Sequence, residues 1–270
     1  PPAVLGGGGY ASWPVCRTAA FLKIPLALLE VNSLPGMANR KLATKAAEAY
    51  VAFESTRERM RCETILTGNP IRSEVRGEPP RAKEGELNIL VIGGSQGAVG
   101  LNTLVIESLP LIKESGIEVH ITHQTGELDI ERVRHAYTES HVPGTVTPFI
   151  EAMGTAYRNA DLIIARAGAT TVAEVIAARR PTVFVPLPTA ADNHQELNAR
   201  EIVEVGGGVI VHQNSGEAAA LADVVIDCYH RRSQLAEMGA ALAQLDHPDA
   251  AEQVAERLIA LARAHIPKDS

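Results

Sequence analysis

The segment from Asp161 to Asn198 holds the densest set of side chains that could do chemistry. A short apolar strand, DLIIA, leads into RAGATT, where a glycine turn and two threonines open a predicted helix. Free backbone N–H groups and the helix dipole at such a start favour an anion. Glu174 follows one helical turn later, and a second buried strand, TVFVPL, leads into the polar run ADNHQELN. The pattern predicts a nucleotide site at the carboxyl ends of parallel strands; the alternative is a capped helix between two core strands.

A second glycine turn offers related chemistry. The apolar run LNILVI predicts a buried strand, and GGSQGA turns directly into a helix. This arrangement suits phosphate binding, with Ser95, Gln96 and the backbone N–H groups at the helix start as donors.

This turn does not match the dinucleotide-binding fingerprint. Gly94 and Gly97 fit its last two glycines, but Ile92 stands where the first is required. The acidic partner for a ribose is also absent from the end of the next predicted strand, which carries His123 and Gln124. A dehydrogenase is therefore disfavoured.

The first 72 residues carry weaker signals of the same kind. The run GGGGY forms a loop into a helix predicted over residues 14–22, and a strand ending in LLEVN places Asn32 at its carboxyl end. Arg72 closes the turn GNPIR, where its guanidinium could serve a phosphate or sugar or form a surface ion pair.

A predicted helix over residues 38–47 carries Arg40, Lys41 and Lys45. These cations could contact anionic lipid headgroups or a pyrophosphate, or they could form an ordinary solvated helix face.

Composition excludes several classes of protein. The chain has 270 residues, 46% of them hydrophobic, and a net charge of −7, which argues against general nucleic-acid binding. The sequence shows no apolar run long enough to span a bilayer and no signal peptide. Its three cysteines lack metal-ligand spacing, and no Asp-x-Asp pair stands out, so we expect no metal and no cofactor.

Strands and helices alternate along the chain, which predicts an α/β fold with mostly parallel, doubly wound sheets. The charged segment 73–86, rich in Pro and Gly, predicts a linker. We therefore predict a first domain over residues 1–72, a nucleotide-sugar domain over 87–249, and a terminal helix and tail over 250–270. The chain begins at Pro1 inside what resembles a strand and glycine turn, so we expect the first domain to be incomplete.

Seven motifs, in order over residues 6–199, resemble the MurG family of bacterial N-acetylglucosaminyltransferases. They are GGGGYASWP, LEVNSLPGMANR, GNPIR, VIGGSQGA, FIEAM, ARAGATTVAE and PLPTAADNHQELNA. The resemblance implies a GT-B fold, two Rossmann-like domains facing a cleft. It also implies transfer of N-acetylglucosamine from UDP-N-acetylglucosamine to lipid I, giving lipid II in peptidoglycan synthesis, by a peripheral protein on the cytoplasmic face of the plasma membrane. An anionic membrane surface is then a further partner.

The resemblance also implies site residues. Ser95, with Gln96 beside it, matches the diphosphate-binding turn, and Ile150 matches the residue that meets uracil through its backbone. Gln195 matches a residue that binds the sugar, with His194 where a second glutamine stands in the family. Asn32 and Arg72 match residues that reach the donor from across the cleft. The segment that holds phosphate and ribose is matched by Ala169, Thr170, Thr171, Val172, Ala173 and Glu174.

The catalytic base is unassigned, because the family's histidine motif would precede Pro1. Of the nine histidines, His194 is expected to frame the donor and His123 to be structural. Two alternatives remain: a UDP-sugar-binding protein without turnover, or another GT-B enzyme such as a UDP-N-acetylglucosamine 2-epimerase or a diacylglycerol glycosyltransferase.

Overall fold

The structure is a computed structural model that describes residues 2–213 and 216–265. The chain divides into two units, and each is described by itself. Unit 1 comprises Pro1–Ile71 with His247–Ser270, and unit 2 comprises Arg72–Asp246. Each unit contains one parallel sheet, and helices connect its successive strands along the chain.

Unit 1 has a sheet of four strands and unit 2 a sheet of six. The strands of unit 1 are β1 (Val4–Gly6), β2 (Leu26–Glu30), β3 (Glu48–Val51) and β4 (Glu63–Leu66). The strands of unit 2 are β5 (Leu87–Ile92), β6 (Val119–Gln124), β7 (Gly144–Thr147), β8 (Leu162–Ala165), β9 (Thr182–Phe184) and β10 (Gly208–Ile210).

The helices follow the strands in alternation, with short 3₁₀ turns between some of them. They are α1 (Gly9–Phe21), α2 (Met37–Leu42), α3 (Glu54–Arg57), α4 (Val99–Glu114), α5 (Ile130–Ser140), α6 (Met153–Asn159), α7 (Ala169–Ala178), α8 (His194–Glu204), α9 (Glu217–His230), α10 (Arg232–Ala241) and α11 (Ala250–Ala264).

The strand order positions the functional loops. In unit 1 the order is β1-β2-β3-β4, and in unit 2 it is β10-β9-β8-β5-β6-β7, with every pairing parallel. The chain order therefore reverses at β5, which has β6 on one side and β8 on the other. Such a reversal opens a crevice at the carboxyl ends of the two central strands.

The core of unit 2 lies between its sheet and the helices on one face. Leu87, Ile89 and Val91 of β5 alternate toward α4 and α9, and all three side chains are buried. The period of two along the strand places these residues on one face. This packing fixes the position of β5 and therefore the point at which the loop after it begins.

The predicted α/β class with parallel Rossmann-like sheets is confirmed. One helix begins earlier than predicted. The first was expected from Pro14, because proline favours the first turn of a helix, but α1 begins at Gly9 and carries Pro14 in its interior.

The segment 73–86 lies within unit 2, whereas the sequence predicted a linker between domains. Its backbone is tied to the body of the unit: Gly77 N–H donates to the Ala177 carbonyl at 3.1 Å, and Arg180 Nη1 donates to the Glu78 carbonyl at 2.8 Å. Proline and glycine disfavour helix and strand in this segment, but its backbone is still hydrogen-bonded to the rest of unit 2.

The terminal helix α11 belongs to unit 1, although it follows unit 2 in the chain. Val254 packs with Ala27 and Tyr50 of the sheet, and Arg257 pairs with the buried Glu48 carboxylate. The unit boundary accordingly falls at residues 246–247, not at 249. Residues 266–270 of the predicted tail lie outside the described residues.

Candidate functional site

The loops after β5 and β8 lie side by side at the carboxyl edge of the unit 2 sheet. Ile92 and Ala165, the last residues of the two strands, are register partners. Arg166 N–H, the next along β8, points to the Ile92 carbonyl at 3.4 Å. The turn at residues 93–98 and the segment leading into α7 therefore share the crevice where the strand order reverses.

The turn at residues 93–98 is closed by its own backbone. Gly97 N–H donates to the Gly94 carbonyl at 2.9 Å, and both glycines have positive φ, 91° for Gly94 and 74° for Gly97. Glycine adopts this region without a steric penalty. Ser95 and Gln96 are exposed at the tip of the turn, as a phosphate-binding role requires.

The loop after β6 supports this turn by direct backbone contact. A Cβ on Gly97 would lie 1.9 Å from the Thr125 carbonyl oxygen, and one on Gly126 would lie 2.1 Å from the Gln96 carbonyl oxygen. No larger residue fits at either glycine. The two loops are consequently packed as one backbone surface.

A buried polar network holds this surface from behind. The Asn102 amide nitrogen donates to the Thr125 carbonyl at 3.0 Å and to Asp129 Oδ2 at 2.8 Å, so its oxygen faces His123 Nε2 at 3.1 Å. His123 must then donate from Nε2 and accept at Nδ1 from the Tyr137 hydroxyl, 3.2 Å away. His123 has no exposed surface, and burial lowers its pKa to about 3. It is neutral, in agreement with the structural role expected for it.

The first turn of α7 provides the second set of donors. Gly168 is the N-cap, and Val172 N–H makes the first intrahelical bond, to the Gly168 carbonyl at 2.9 Å. The amides of Thr170 and Thr171 precede that bond, so the helix itself does not use them. Such amides, with the positive end of the helix dipole, suit a phosphate group.

Glu174 lies on the second turn of α7, next to the half-buried Ala173, and only 9% of it is exposed. Its Oε2 accepts from the Tyr157 hydroxyl at 3.1 Å, and its Oε1 lies 3.5 Å from Arg72 Nη2. Arg72 also pairs with Glu74 at 3.4 Å. Burial and the neighbouring Glu174 carboxylate raise the pKa of Tyr157 well above its usual range. A carboxylate has about four acceptor positions, so Glu174 retains capacity for ligand hydroxyls.

The start of α8 lies beside the loop that follows β9. His194 and Gln195 are its first two residues and both are half-buried. Gln195 Oε1 accepts from the Leu187 backbone N–H at 3.0 Å. Further along the helix, Asn198 Nδ2 donates to the Ala167 carbonyl at 3.2 Å, which ties α8 to the segment that opens α7.

Ile150 lies beyond β7, two strands away from β5. Its loop is connected to the others by hydrogen bonds: Gln124 Nε2 donates to the Pro148 carbonyl at 3.2 Å, and Thr125 N–H donates to the Thr147 carbonyl at 3.0 Å. Apart from Arg72, the predicted residues of unit 2 thus lie on the loops that follow the carboxyl ends of its strands or on the first turns of the helices that those loops open.

Asn32 lies in unit 1, where the buried carboxylate of Glu30 fixes it. Glu30 Oε1 accepts from both the backbone and side-chain nitrogens of Asn32, at 3.1 and 3.2 Å. Its Oε2 accepts from Gly36 N–H and Asn39 Nδ2, each at 2.9 Å. This second carboxyl-terminal strand end is therefore rigid in its own right.

Comparisons with known proteins match almost the whole chain. Residues 88–254 match the model of the glycosyltransferase family 28 C-terminal domain. The chain is 39% identical over 269 residues to a Geobacter sulfurreducens protein named UDP-N-acetylglucosamine–N-acetylmuramyl-(pentapeptide) pyrophosphoryl-undecaprenol N-acetylglucosamine transferase, with 97% of this chain and 74% of the relative covered. The chain belongs to the MurG family. The family predicted from the seven motifs is confirmed.

Other MurG family members give the same result. A protein of the same name from Anaeromyxobacter sp. strain K is 39% identical, over 97% of this chain and 70% of the relative. The crystal structure of Acinetobacter baumannii MurG superposes with a TM-score of 0.81 at 35% identity, over 96% of this chain and 74% of that one.

A more distant structural neighbour shows the fold alone. UDP-N-acetylglucosamine 2-epimerase from Neisseria meningitidis superposes with a TM-score of 0.66 at 14% identity, over 96% of this chain and 76% of that one. With the MurG structure, this neighbour supports the predicted GT-B type of fold.

One buried residue beside the candidate site was missed by the sequence analysis. Arg166 is 7% exposed, and its guanidinium donates to the carbonyls of Val185 and Pro186, at 2.9 and 3.2 Å, and to Gln213 Oε1. The Gln213 amide in turn lies against Gly100, in the first turn of α4. The available signal was an arginine placed directly after a buried strand.

The described residues, 2–213 and 216–265, include no group of three or more His, Cys, Asp or Glu side chains arranged to hold a metal ion. The donors described above are backbone amides, hydroxyls, side-chain amides and the guanidinium groups of Arg72 and Arg166.

Proposed function

We propose that this chain transfers N-acetylglucosamine from UDP-N-acetylglucosamine to the undecaprenyl-linked N-acetylmuramyl-pentapeptide, converting lipid I to lipid II in peptidoglycan synthesis. The observation that carries the proposal is the 39% identity, over 97% of the chain, to a curated enzyme named for this transfer. The carboxyl-edge site supplies groups that suit such a donor.

Different segments of unit 2 bind the different parts of the donor. The diphosphate binds the turn at Ser95 and Gln96 and the first amides of α7, both of which favour an anion. Glu174 accepts the ribose hydroxyls. The sugar lies against His194 and Gln195 at the start of α8.

The remaining predicted residues complete the donor site. Uracil meets the backbone at Ile150, on the loop after β7. Arg72 adds positive charge beside the Glu174 carboxylate, its neighbour at 3.5 Å. Asn32, whose side chain Glu30 fixes within unit 1, keeps only the donor-binding role that the family resemblance implies.

The reaction is a single inverting displacement. The acceptor 4-hydroxyl oxygen attacks the anomeric carbon, the bond from that carbon to the diphosphate oxygen breaks, and a base takes the hydroxyl proton. Negative charge grows on the departing UDP, where the amides of α7 and of the glycine turn stabilise it. We assign none of the described histidines as the base.

The acceptor brings the protein to a lipid surface, and we propose peripheral binding to anionic headgroups on the cytoplasmic face. In support, α1 carries one exposed stripe in which Tyr10 and Phe21, 98% and 83% exposed, flank Arg17. Lys23 follows directly after the helix. Apolar side chains beside cations suit an anionic membrane interface.

No helix among the described residues has both the length and the apolar character needed to cross a bilayer.

The test of the main proposal is transfer to a soluble lipid I analogue, followed by chromatography of the product and by UDP release. We expect disaccharide product with UDP-N-acetylglucosamine and none with UDP-galactose or without acceptor. Donor binding without any transfer would favour the non-catalytic alternative. Conversion of UDP-N-acetylglucosamine to an N-acetylmannosamine product without acceptor would instead indicate an epimerase.

The membrane proposal is tested by sedimentation with vesicles of phosphatidylglycerol or of phosphatidylcholine. We expect binding to the anionic vesicles only, weakened in the Phe21→Ser variant and by high salt. A matched control, Leu128→Ser, alters a residue that is 96% exposed in unit 2 and should leave vesicle binding unchanged. Equal loss in both variants would contradict the assignment to α1.

A further inference from the structure

Arg166 is a buried cation for which no carboxylate forms an ion pair among the described residues. Its charged atoms meet only neutral acceptors, the carbonyls of Val185 and Pro186 and the amide of Gln213. Its Nε is buried, and no described residue forms a hydrogen bond with it. Desolvation lowers the pKa of Arg166 to about 10, with no nearby anion acting against it.

Such an arrangement costs stability if it serves packing alone. Burying an unpaired charge is expensive, and a neutral donor would satisfy the same oxygens at lower cost. The neighbours of Arg166 therefore accept hydrogen bonds from it but do not neutralise its positive charge.

The position of Arg166 identifies the kind of anion that would use this charge. The residue follows β8 directly, its backbone N–H is 3.4 Å from the Ile92 carbonyl at the start of the glycine turn, and Gly168, the N-cap of α7, is two residues further on. Its partner Gln213 lies against Gly100 in the first turn of α4. The guanidinium thus contacts the chain just after β9, and through Gln213 it is connected to the first turn of α4.

We propose that Arg166 is the fixed counter-charge for the diphosphate of the nucleotide donor, acting through space from behind the loops that contact it. This inference rests on the proposed function, because it needs a diphosphate in the crevice. A buried charge acts in a low dielectric and is poorly screened, so its effect extends beyond hydrogen-bond distance. The charge favours the bound diphosphate and, as negative charge grows on departing UDP, the transition state.

The proposal predicts a selective effect on phosphate groups. Loss of the charge should weaken UDP binding while leaving the binding of uridine, which lacks phosphate, unchanged. A purely structural role would lower both affinities together. The informative quantity is therefore the ratio of the dissociation constants for uridine and UDP, measured by calorimetric titration.

Gln213→Glu is the most informative variant, because it keeps the shape of the side chain and places a carboxylate against Arg166. We expect the uridine-to-UDP ratio to fall roughly tenfold, equivalent to about 1.4 kcal/mol. Arg166→Met should give a similar fall, and Arg166→Lys should retain most of the ratio. Gln234→Glu, at an exposed residue of α10, adds the same charge elsewhere and should leave the ratio unchanged.

The possible outcomes distinguish a failure of the role proposed for Arg166 from a failure of the proposed donor site. If wild-type protein binds no UDP, the donor site and the role of Arg166 are both overturned. If wild-type protein binds UDP but folded Gln213→Glu keeps the wild-type ratio, the donor site stands and the counter-charge role is wrong. Should Arg166→Met fail to fold, Gln213→Glu still decides between these results.

Discussion

At the amino end of the unit 2 sheet, Asp161 and Arg180 are buried close to each other, whereas at the carboxyl end the buried Arg166 forms no ion pair with a carboxylate of the described residues. Asp161, just before β8, accepts from the Asn88 backbone and side chain at 2.9 and 3.1 Å and pairs with Lys83 at 3.3 Å. Each charge at this end has an opposite charge nearby.

Arg180, just before β9, completes the amino end. It donates to the carbonyls of Tyr157, Glu78 and Arg158 at 2.7, 2.8 and 3.1 Å. Burial lowers its pKa, and the Asp161 carboxylate opposes that shift. This end of the sheet needs no ligand to be electrostatically complete.

The carboxyl end is organised differently. It is held by a network of the neutral His123, Asn102 and the Asp129 carboxylate, by glycine turns whose backbones touch, and by a buried guanidinium. The helix amides at the start of α7 add further positive potential. The buried arginine at the amino end thus has a carboxylate nearby, whereas Arg166 at the carboxyl end forms no ion pair with a carboxylate of the described residues.

The largest expected effect on stability comes from removing Arg180 at the amino end of the sheet. Arg180→Met removes the donor to three carbonyls, one of them in the buried Tyr157, and the positive charge near the buried Asp161, so we expect a loss of about 3–5 kcal/mol in the free energy of unfolding, measured with urea. The uridine-to-UDP ratio of the folded variant should not change. Lys83→Met, which removes the half-exposed partner of the same carboxylate, should cost under about 1 kcal/mol. Equal effects of the two variants would contradict the comparison.

The buried, neutral His123 at the carboxyl end predicts that the free energy of unfolding depends on pH. The pKa of His123 is lowered by burial from 6.5 to about 3, so between those values the unfolded state binds more protons than the folded state. Stability should therefore fall as pH decreases below 6.5, with a contribution approaching about 1.4 kcal/mol per pH unit.

His123→Gln retains an amide donor for Asn102 but cannot titrate, so its unfolding free energy should depend less on pH in this range. Tyr137→Phe keeps the buried imidazole and should keep the wild-type slope. A slope that survives His123→Gln would show that another group is responsible.

Glu174→Ala tests the ribose assignment. We expect the affinity for UDP-N-acetylglucosamine to fall by about 1–3 kcal/mol, the cost of losing hydrogen bonds to a carboxylate. Tyr157→Phe removes a neighbour of Glu174 but keeps the carboxylate, so its effect on affinity should be smaller. Unchanged affinity in Glu174→Ala would mean that the ribose lies elsewhere.

The smallest effect is expected at the tip of the glycine turn. Ser95→Ala removes one exposed hydroxyl while the backbone amides remain, and calorimetry should show a loss of under about 1 kcal/mol. Complete loss of UDP-N-acetylglucosamine binding would show that the side chain, not the backbone, holds the phosphate.

The sequence was sufficient for the features that are local. Glycine turns, apolar strands and helix starts depend on residues close in the chain, so a terminal helix was predicted from residue 250, where α11 begins, and β5 was predicted at LNILVI. The family followed from motif order. The role of each motif residue stays a prediction that the tests above address.

The sequence was not sufficient for contacts between distant residues. Arg166 meets Gln213, 47 positions later, and Arg72 meets Glu174, 102 positions later. Neither pairing has a local pattern, because the strand order brings them together. The return of α11 to unit 1 has the same origin, since burial of Val254 against Tyr50 depends on the completed sheet.

The most direct test of the difference between the two ends is hydrogen–deuterium exchange with and without UDP-N-acetylglucosamine. We predict slower exchange in peptides covering residues 93–100 and 168–174, with no change in peptides covering 83–88 and 179–182. Protection at the amino end, or an unchanged carboxyl end at saturating donor, would contradict the account.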